Sequence, residues 1–162
     1  MKTIRQVEAS DLAIAAESCC VRALRWDVSP RMLVFDCDYA LNYRTVSKPA
    51  TIDVCRTWIV FAEVADLRVQ IDWKAFVDGF SIIEFEVQKN GTRSTISIAT
   101  EFPSGEIFAT ARSIGMLRSE SQVQSASPYL EYTQRLSLAS DTELALALQE
   151  QMAEGRMGET AA

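Results

Sequence analysis

The chain has 162 residues, a length that suits one domain with a single core and a terminal extension. Hydrophobic residues make up 48% of the sequence and charged residues 23%, so wholesale disorder is excluded and a globular fold is expected. The formal net charge of -6 disfavours binding to nucleic acid or to an anionic membrane, and it favours a basic protein partner.

The chain contains no histidine, so Ser-His-Asp and Cys-His catalysis and imidazole zinc sites within it are excluded. Its four cysteines show no C-x-x-C spacing: Cys19, Cys20, Cys37 and Cys55. We expect buried, reduced thiols and neither a cofactor nor a metal. Because the N-terminus lacks an apolar signal core and no stretch of about 18 apolar residues occurs, we expect a cytoplasmic protein without a membrane span.

The first predicted element is a short helix over residues 11–17, which Ser10 can cap and Asp11 can stabilise at its N-terminus. A strand over residues 20–26 is expected next. Pro30 then predicts a turn, because the residue before a proline is held extended.

Apolar and polar residues alternate from position 32, so residues 32–41 predict a half-buried antiparallel strand. The strand contains Asp36 and Asp38 in the order V-F-D-C-D-Y-A-L, which resembles the nucleophile motif of haloacid-dehalogenase-type phosphatases. In that family the aspartates follow a strand that is apolar on both faces, whereas here the alternation continues through them. A glycine is also missing where Tyr39 stands. We therefore predict two solvated carboxylates on a strand face and no catalytic site.

A polar loop over residues 42–51 leads to two more predicted strands. The strand over residues 57–64 is almost continuously apolar, and the strand over residues 67–71 alternates. Residues 73–79 predict a short helical turn or ordered loop that ends at a glycine.

The next region predicts a three-stranded meander, with strands over residues 83–88, 94–102 and 106–116. In the first of these strands we expect Ile83, Phe85 and Val87 to face the core. The Asn-Gly pair at positions 90–91 predicts the hairpin turn.

Residues 119–128 are rich in serine and glutamine, which predicts a flexible linker between a domain over residues 1–118 and a C-terminal segment over residues 129–162. Ser140 and Glu143 have the spacing of a capping box, so we predict a helix near residues 141–154. One face of this helix is a candidate contact with another subunit or a partner: Leu144, Leu148 and Met152.

Together these elements predict a mainly β (α+β) fold. We expect an antiparallel sheet, arranged as a sandwich or half-open barrel, with short N-terminal and C-terminal helices that include a detachable C-terminal helix.

Acidic residues recur on the polar faces of the predicted strands. Glu84 and Glu86 are two residues apart and so project to the same side, and candidate cross-strand neighbours are Asp36, Asp38 and Asp72. We interpret these five residues as a candidate binding surface for a basic partner.

Two stretches resemble small β-rich immunity proteins of bacterial polymorphic toxin systems. One runs over residues 58–69 and is followed by the Ile-x-Glu pattern of residues 82–86, and the other joins residues 24–27 to residues 33–36, which is similar to the first hairpin of those proteins. The resemblance extends over residues 20–117. It implies a non-enzymatic protein that binds and blocks a cognate toxin, and such proteins share no fixed set of binding residues.

We therefore expect a non-catalytic protein-binding module, with an immunity-type inhibitor as its specific form. Two alternatives stay open. A small-ligand carrier or enzyme would use a pocket in the sheet lined by aromatic residues: Trp58, Phe61, Phe85 and Phe102. An assembly subunit would form a homo-oligomer through the C-terminal helix.

Overall fold

A computed structural model describes residues 3–28, 31–46, 48–72 and 79–155. Within them, strands of one antiparallel sheet dominate, which confirms the mainly β fold that the sequence predicts. The strands are β1 (Ile4–Gln6), β2 (Cys19–Asp27), β3 (Met32–Arg44), β4 (Thr51–Ala62), β5 (Asp66–Ile71), β6 (Phe80–Asn90), β7 (Arg93–Glu101), β8 (Gly105–Ala111) and β9 (Ser113–Ser125). The helices are α1 (Leu12–Ala16), α2 (Tyr132–Arg135) and α3 (Asp141–Ala153), and a 3₁₀ turn over Ala9–Asp11 precedes α1.

The strand order is β1-β9-β4-β3-β2-β6-β7-β8-β5, which divides the sheet into two halves. We call β1, β9, β4, β3 and β2 the first half, and β6, β7, β8 and β5 the second half. They are joined where β2 pairs with β6, at Cys20 with Ser81 and at Val21 with Phe80. Gly79 precedes this junction with φ of +134°, and a Cβ atom there would lie 2.2 Å from the Val21 carbonyl oxygen. A glycine is therefore required where β6 approaches β2.

The two halves of the sheet enclose the main core. The rings of Phe35 and Phe61 lie 5.0 Å apart within the first half. Across the halves, Phe80 lies 6.4 Å from Phe35, and Phe85 lies 6.3 Å from Phe61. All four rings are buried, and β7 and β8 add the buried side chains of Ile96, Ile98 and Ile107. Because large rings from both halves meet in the middle, side chains fill the interior of the sheet.

The outer face of the first half forms a second core with the C-terminal segment. Val34 of β3 and Trp58 and Val60 of β4 are buried together with Leu144 and Leu148 of α3. The first half is therefore covered on both faces, and the predicted detachable helix is instead packed against the sheet.

The capping box at the start of α3 forms as predicted. The Glu143 N–H group donates to the Ser140 hydroxyl over 3.3 Å, and the Ser140 N–H group donates to the Glu143 carboxylate over 2.8 Å. Both orphan donors of the first turn are thereby satisfied. Of the three residues predicted on the contact face, Leu144 and Leu148 are buried against the sheet, whereas Met152 is 44% exposed.

The predicted linker over residues 119–128 is wrong for its first part, because β9 continues to Ser125. Val123 pairs with Val54 of β4, and Gln122 pairs with Cys55. The polar composition of residues 119–125 arises because one face of this part of β9 is exposed to solvent. Alternate side chains lie on that face: Glu120, Gln122 and Gln124. Composition alone indicated a linker, whereas the period of two indicates a strand.

The predicted orientation of Ile83 in β6 is also wrong. A β-bulge interrupts the pairing of β6 with β7 between Ile82 and Glu84, so the alternation shifts by one residue there. Ile82 and Phe85 are consequently buried, while Ile83 is 50% exposed and Val87 lies at the exposed margin.

Two predicted connections have different outcomes. The polar loop expected over residues 42–51 is shorter, because β3 runs to Arg44 and β4 begins at Thr51. The turn predicted over residues 73–79 falls almost wholly on residues 73–78, which lie outside the described residues.

The packing of α3 can be tested with a pair of leucines on the same helix. Leu148→Ala is expected to lower the free energy of unfolding by about 2–4 kcal/mol, because it leaves a cavity between α3 and the sheet. Leu146 is 44% exposed, so Leu146→Ala should lower it by less than about 1 kcal/mol. Urea denaturation of both variants measures the difference, and equal effects would show that α3 does not dock as described.

Candidate functional site

The two aspartates of the D-x-D motif lie on the outer face of β3, beneath the C-terminal segment. They share this face with Val34, while Phe35 and Cys37 point into the main core, as the alternation predicted. The prediction that both carboxylates are solvated is wrong, because Asp38 has no solvent exposure and the Asp36 side chain is only 18% exposed. The physical reason is that the C-terminal segment covers this face.

Asp38 is surrounded by positive charge and a backbone donor. Arg22 Nη1 of β2 donates to Asp38 Oδ2 over 3.3 Å, and Arg135 Nε of α2 lies 3.0 Å from Asp38 Oδ1. The Leu130 N–H group also donates to Asp38 Oδ2, over 3.2 Å. Burial raises the pKa of the Asp38 carboxyl, and Arg135, Arg22 and the Leu130 N–H group oppose that rise. These partners therefore favour the ionised carboxylate in a buried position.

Asp36 extends the same cluster toward α3. Its carboxylate accepts from Arg56 Nε over 2.9 Å and Nη2 over 2.6 Å, and from Arg135 Nη2 over 2.9 Å. Arg56 also donates to the Ala139 carbonyl over 2.9 Å and pairs with Asp141, the first residue of α3. Burial alone would lower the pKa of the Arg56 guanidinium, but Asp36 and Asp141 raise it. We call Asp36, Asp38, Arg22, Arg56, Arg135 and Asp141 the ion cluster.

The ion cluster is suited to holding the C-terminal segment on the sheet. A carboxylate nucleophile needs access to its substrate, and here both carboxylates are enclosed and engaged by arginines. Across the described ranges, no group of three or more Cys, Asp and Glu side chains could hold a metal ion. The phosphatase hypothesis gains no support from this geometry.

The cysteines are buried in the fold, as predicted: Cys19, Cys20, Cys37 and Cys55 are free thiols with little or no solvent exposure. Burial raises the pKa of Cys20 and Cys37, and it raises that of Cys55 to about 12. A thiol with a raised pKa is protonated at neutral pH and is a poor nucleophile.

The four aromatic residues considered as a ligand cup do not form one. Phe61 and Phe85 stack within the filled main core, Trp58 lies on the opposite face of β4, and Phe102 is 73% exposed in the turn between β7 and β8. Sequence reasoning grouped them by residue type, but the alternation of β4 sends Trp58 and Phe61 to different layers.

The outward side of the second half is an exposed sheet surface that no described helix covers. Register places three residues of each strand on it. These are Glu84, Glu86 and Gln88 of β6; Thr95, Ser97 and Ala99 of β7; Glu106, Phe108 and Thr110 of β8; and Asp66, Arg68 and Gln70 of β5. We call this surface the acidic face.

Three exposed carboxylates dominate the acidic face. Glu84, Glu86 and Glu106 are exposed and form no ion pair with any residue in the described part of the chain. Arg68 is already engaged, since its guanidinium lies 3.5 Å from Asp66 and 5.6 Å from the centre of the Phe108 ring. The net charge of the acidic face is therefore negative.

Of the five acidic residues predicted as one surface, the structure brings three to the second half. Glu84 and Glu86 lie side by side on β6, and Asp72 is exposed just beyond β5, where its N–H group donates to the Ser104 carbonyl over 3.1 Å. Asp36 and Asp38 lie in the first half, within the ion cluster.

Sequence reasoning missed Glu106 as a member of the acidic face. The only local signal was its position at the start of a predicted strand. Its alignment with Ala99, and through that residue with Glu84, follows from the register of three strands.

Comparisons with known proteins find no relative for this chain: no protein-family model, curated protein or solved structure matches it. No helix among residues 3–28, 31–46, 48–72 and 79–155 is long and apolar enough to cross a membrane. The resemblance to immunity proteins stays a prediction, and function must be inferred from the surfaces of the molecule.

The contribution of the ion cluster to the free energy of unfolding can be compared with that of an exposed ion pair. Asp38→Asn is expected to lower the free energy of unfolding by about 3 kcal/mol, because it leaves the largely buried Arg22 without its counter-charge and Arg135 with Asp36 alone. Asp27 pairs with Arg25 where both side chains are partly exposed, at 39% and 46%, so Asp27→Asn should change stability by less than about 1 kcal/mol. Urea denaturation at neutral pH measures both, and a neutral Asp38→Asn would show that the ion cluster does not hold the fold.

Proposed function

We propose that the protein is a non-catalytic binding module that holds a basic protein partner against the acidic face. The observation that carries this proposal is the asymmetry between the two halves of the sheet. The outer face of the first half is covered by the C-terminal segment, whereas the acidic face is exposed and carries carboxylates that form no ion pair with any described residue. An exposed sheet surface with one sign of charge is suited to a partner of the opposite sign.

The shape of the acidic face fits a chain segment with lysine or arginine side chains. The middle strand β7 presents only small residues there, Thr95, Ser97 and Ala99, so a partner can approach its backbone closely. Glu84 and Glu86 lie on one side of β7 and Glu106 on the other. A segment that lies along β7 can therefore place cationic side chains to both sides.

The charges favour fast and selective association more than they favour stability. Glu84 and Glu86 project to the same side two residues apart, and such like charges repel in the free protein. A basic partner relieves this repulsion, and the negative field increases the rate of encounter.

An immunity-type inhibitor is the specific form of this function that we favour. Such a protein needs a surface that blocks its target and no catalytic group. A toxin that acts on nucleic acid has a basic surface for its substrate, and the acidic face offers matching charge.

The two alternative functions receive less support. A ligand pocket inside the sheet would need space that the phenylalanine rings of the main core occupy. Assembly through α3 would need Leu144 and Leu148 at the surface, and both are buried against the sheet.

Removal of the two negative charges of Glu84 and Glu86 should have two linked effects. In the variant that combines Glu84→Gln and Glu86→Gln, the melting temperature should be equal or higher, because the local repulsion is relieved. Binding to the basic partner should weaken by about tenfold or more at low salt, with a smaller loss at high salt. Calorimetry measures the first effect, and surface plasmon resonance with the captured partner measures the second.

A matched control carries the same charge change away from the acidic face. Glu120→Gln with Glu150→Gln alters two exposed glutamates of β9 and α3 and should leave binding unchanged. The partner is first captured from a lysate of the native host with the wild-type protein and with both variants. Equal capture by both variants, or binding that does not depend on salt, would refute the proposal.

A further inference from the structure

A pocket of about 460 Å³ opens between β1, β3, β9 and the turn that follows β1, and none of its lining residues belongs to the acidic face. Its polar lining consists mainly of four charged residues and one tyrosine: Arg5, Glu8, Asp11, Arg118 and Tyr39. Apolar contact is offered by Ile14 of α1, which is 73% exposed, and by the tyrosine ring. The volume falls in the range of about 300–1,000 Å³ that is typical of small-molecule sites.

Two arginines stand directly opposite each other in this pocket. Arg5 of β1 is the cross-strand partner of Arg118 of β9, so their side chains leave the sheet on the same face. Neither arginine forms an ion pair with a residue that the structure describes, and the Arg118 guanidinium lies 5.4 Å from the centre of the Tyr39 ring. Like charges at directly opposed positions destabilise a sheet, and a bound carboxylate would relieve this repulsion through two guanidinium groups.

Two carboxylates face the same space without meeting the arginines. Glu8 precedes the 3₁₀ turn and Asp11 is its last residue, and neither side chain makes a capping hydrogen bond. Neither carboxylate pairs with another described residue. Burial is the main cause of the raised pKa of Tyr39, which lines the pocket together with Arg5 and Asp11. The pocket therefore presents separated positive and negative groups around one aromatic ring.

We propose that this pocket binds a small zwitterion, an α-amino acid with an apolar side chain. Its carboxylate contacts Arg5 and Arg118, its ammonium group contacts Glu8 and Asp11, and its side chain packs against Ile14 and the Tyr39 ring. A simple anion would be attracted by the two arginines but repelled by the two carboxylates. A simple cation would be attracted by the carboxylates but repelled by the arginines. A zwitterion matches both sets of charges at once, because its two ends carry opposite signs.

Three related ligands test the proposal by isothermal titration calorimetry. L-leucine carries both charges, N-acetyl-leucine only the carboxylate, and leucinamide only the ammonium group. The wild-type protein should bind leucine at least about tenfold more tightly than either derivative, which corresponds to about 1.4 kcal/mol.

Substitutions should separate the two ends of the ligand. Arg118→Gln should weaken leucine and N-acetyl-leucine by about tenfold or more and leave leucinamide unchanged. Glu8→Gln with Asp11→Asn should weaken leucine and leucinamide and leave N-acetyl-leucine unchanged. Arg112→Gln, whose side chain is 61% exposed outside the pocket, is the matched control and should change none of the three. If Arg118→Gln fails to fold, Arg5→Gln at an exposed position of β1 gives the same test.

Several results would overturn the proposal. Absence of heat with leucine would exclude the site, and equal affinities for the three ligands would exclude recognition of both charges. Inorganic phosphate that binds as tightly as leucine would show a simple anion site. These titrations require no protein partner, so their outcome is independent of the function proposed for the acidic face.

Discussion

Asp38 places a carboxylate at a point with no contact to solvent, and the position of the C-terminal segment depends on matching that charge. Arg22 is supplied by the sheet, whereas Arg135 and the Leu130 N–H group come from the C-terminal segment. Removal of the segment would expose the apolar cluster around Trp58 and would leave the carboxylate with one cation in place of two. The ion cluster and the second core therefore form together. The ion pairs of Arg135 and Asp141 are made only when the C-terminal segment packs against the sheet.

Local patterns in the sequence predicted most of the strands and the start of α3. Period-two alternation identified β3, and the spacing of Ser140 and Glu143 identified the helix cap. We did not predict that the C-terminal segment covers the outer face of β3 and β4. The apolar residues Val34 and Val60 on that face were the sequence signal for it. Whether a segment distant in sequence covers such a face depends on long-range packing, which alternation does not report.

The acidic face was predicted only in part, for a related reason. The pairing of Glu84 and Glu86 on one side follows from a period of two, and the structure keeps it. Cross-strand neighbours depend on register, and the hairpin that pairs Asn90 with Arg93 places Glu84 opposite Ala99. Ala99 in turn pairs with Glu106 of β8, so Glu106 lies on the same row, whereas the bulge between Ile82 and Glu84 shifts only the pairing of Ser81 and Ile82. The aspartates of β3 were predicted to be cross-strand neighbours of Glu84 and Glu86, but β3 does not pair with β6 and belongs to the other half of the sheet.

Two regions of the chain have separate roles: the ion cluster holds the C-terminal segment on the sheet, and we propose that the acidic face binds the partner. Hydrogen exchange of the free protein and of its complex with the captured partner tests this most directly, because it reports on every segment at once. We predict that binding slows exchange in β6, β7 and β8 and leaves α3 and the strands beneath it unchanged. Protection confined to α3 or to β1 and β9, with β6 to β8 unaffected, would contradict the account.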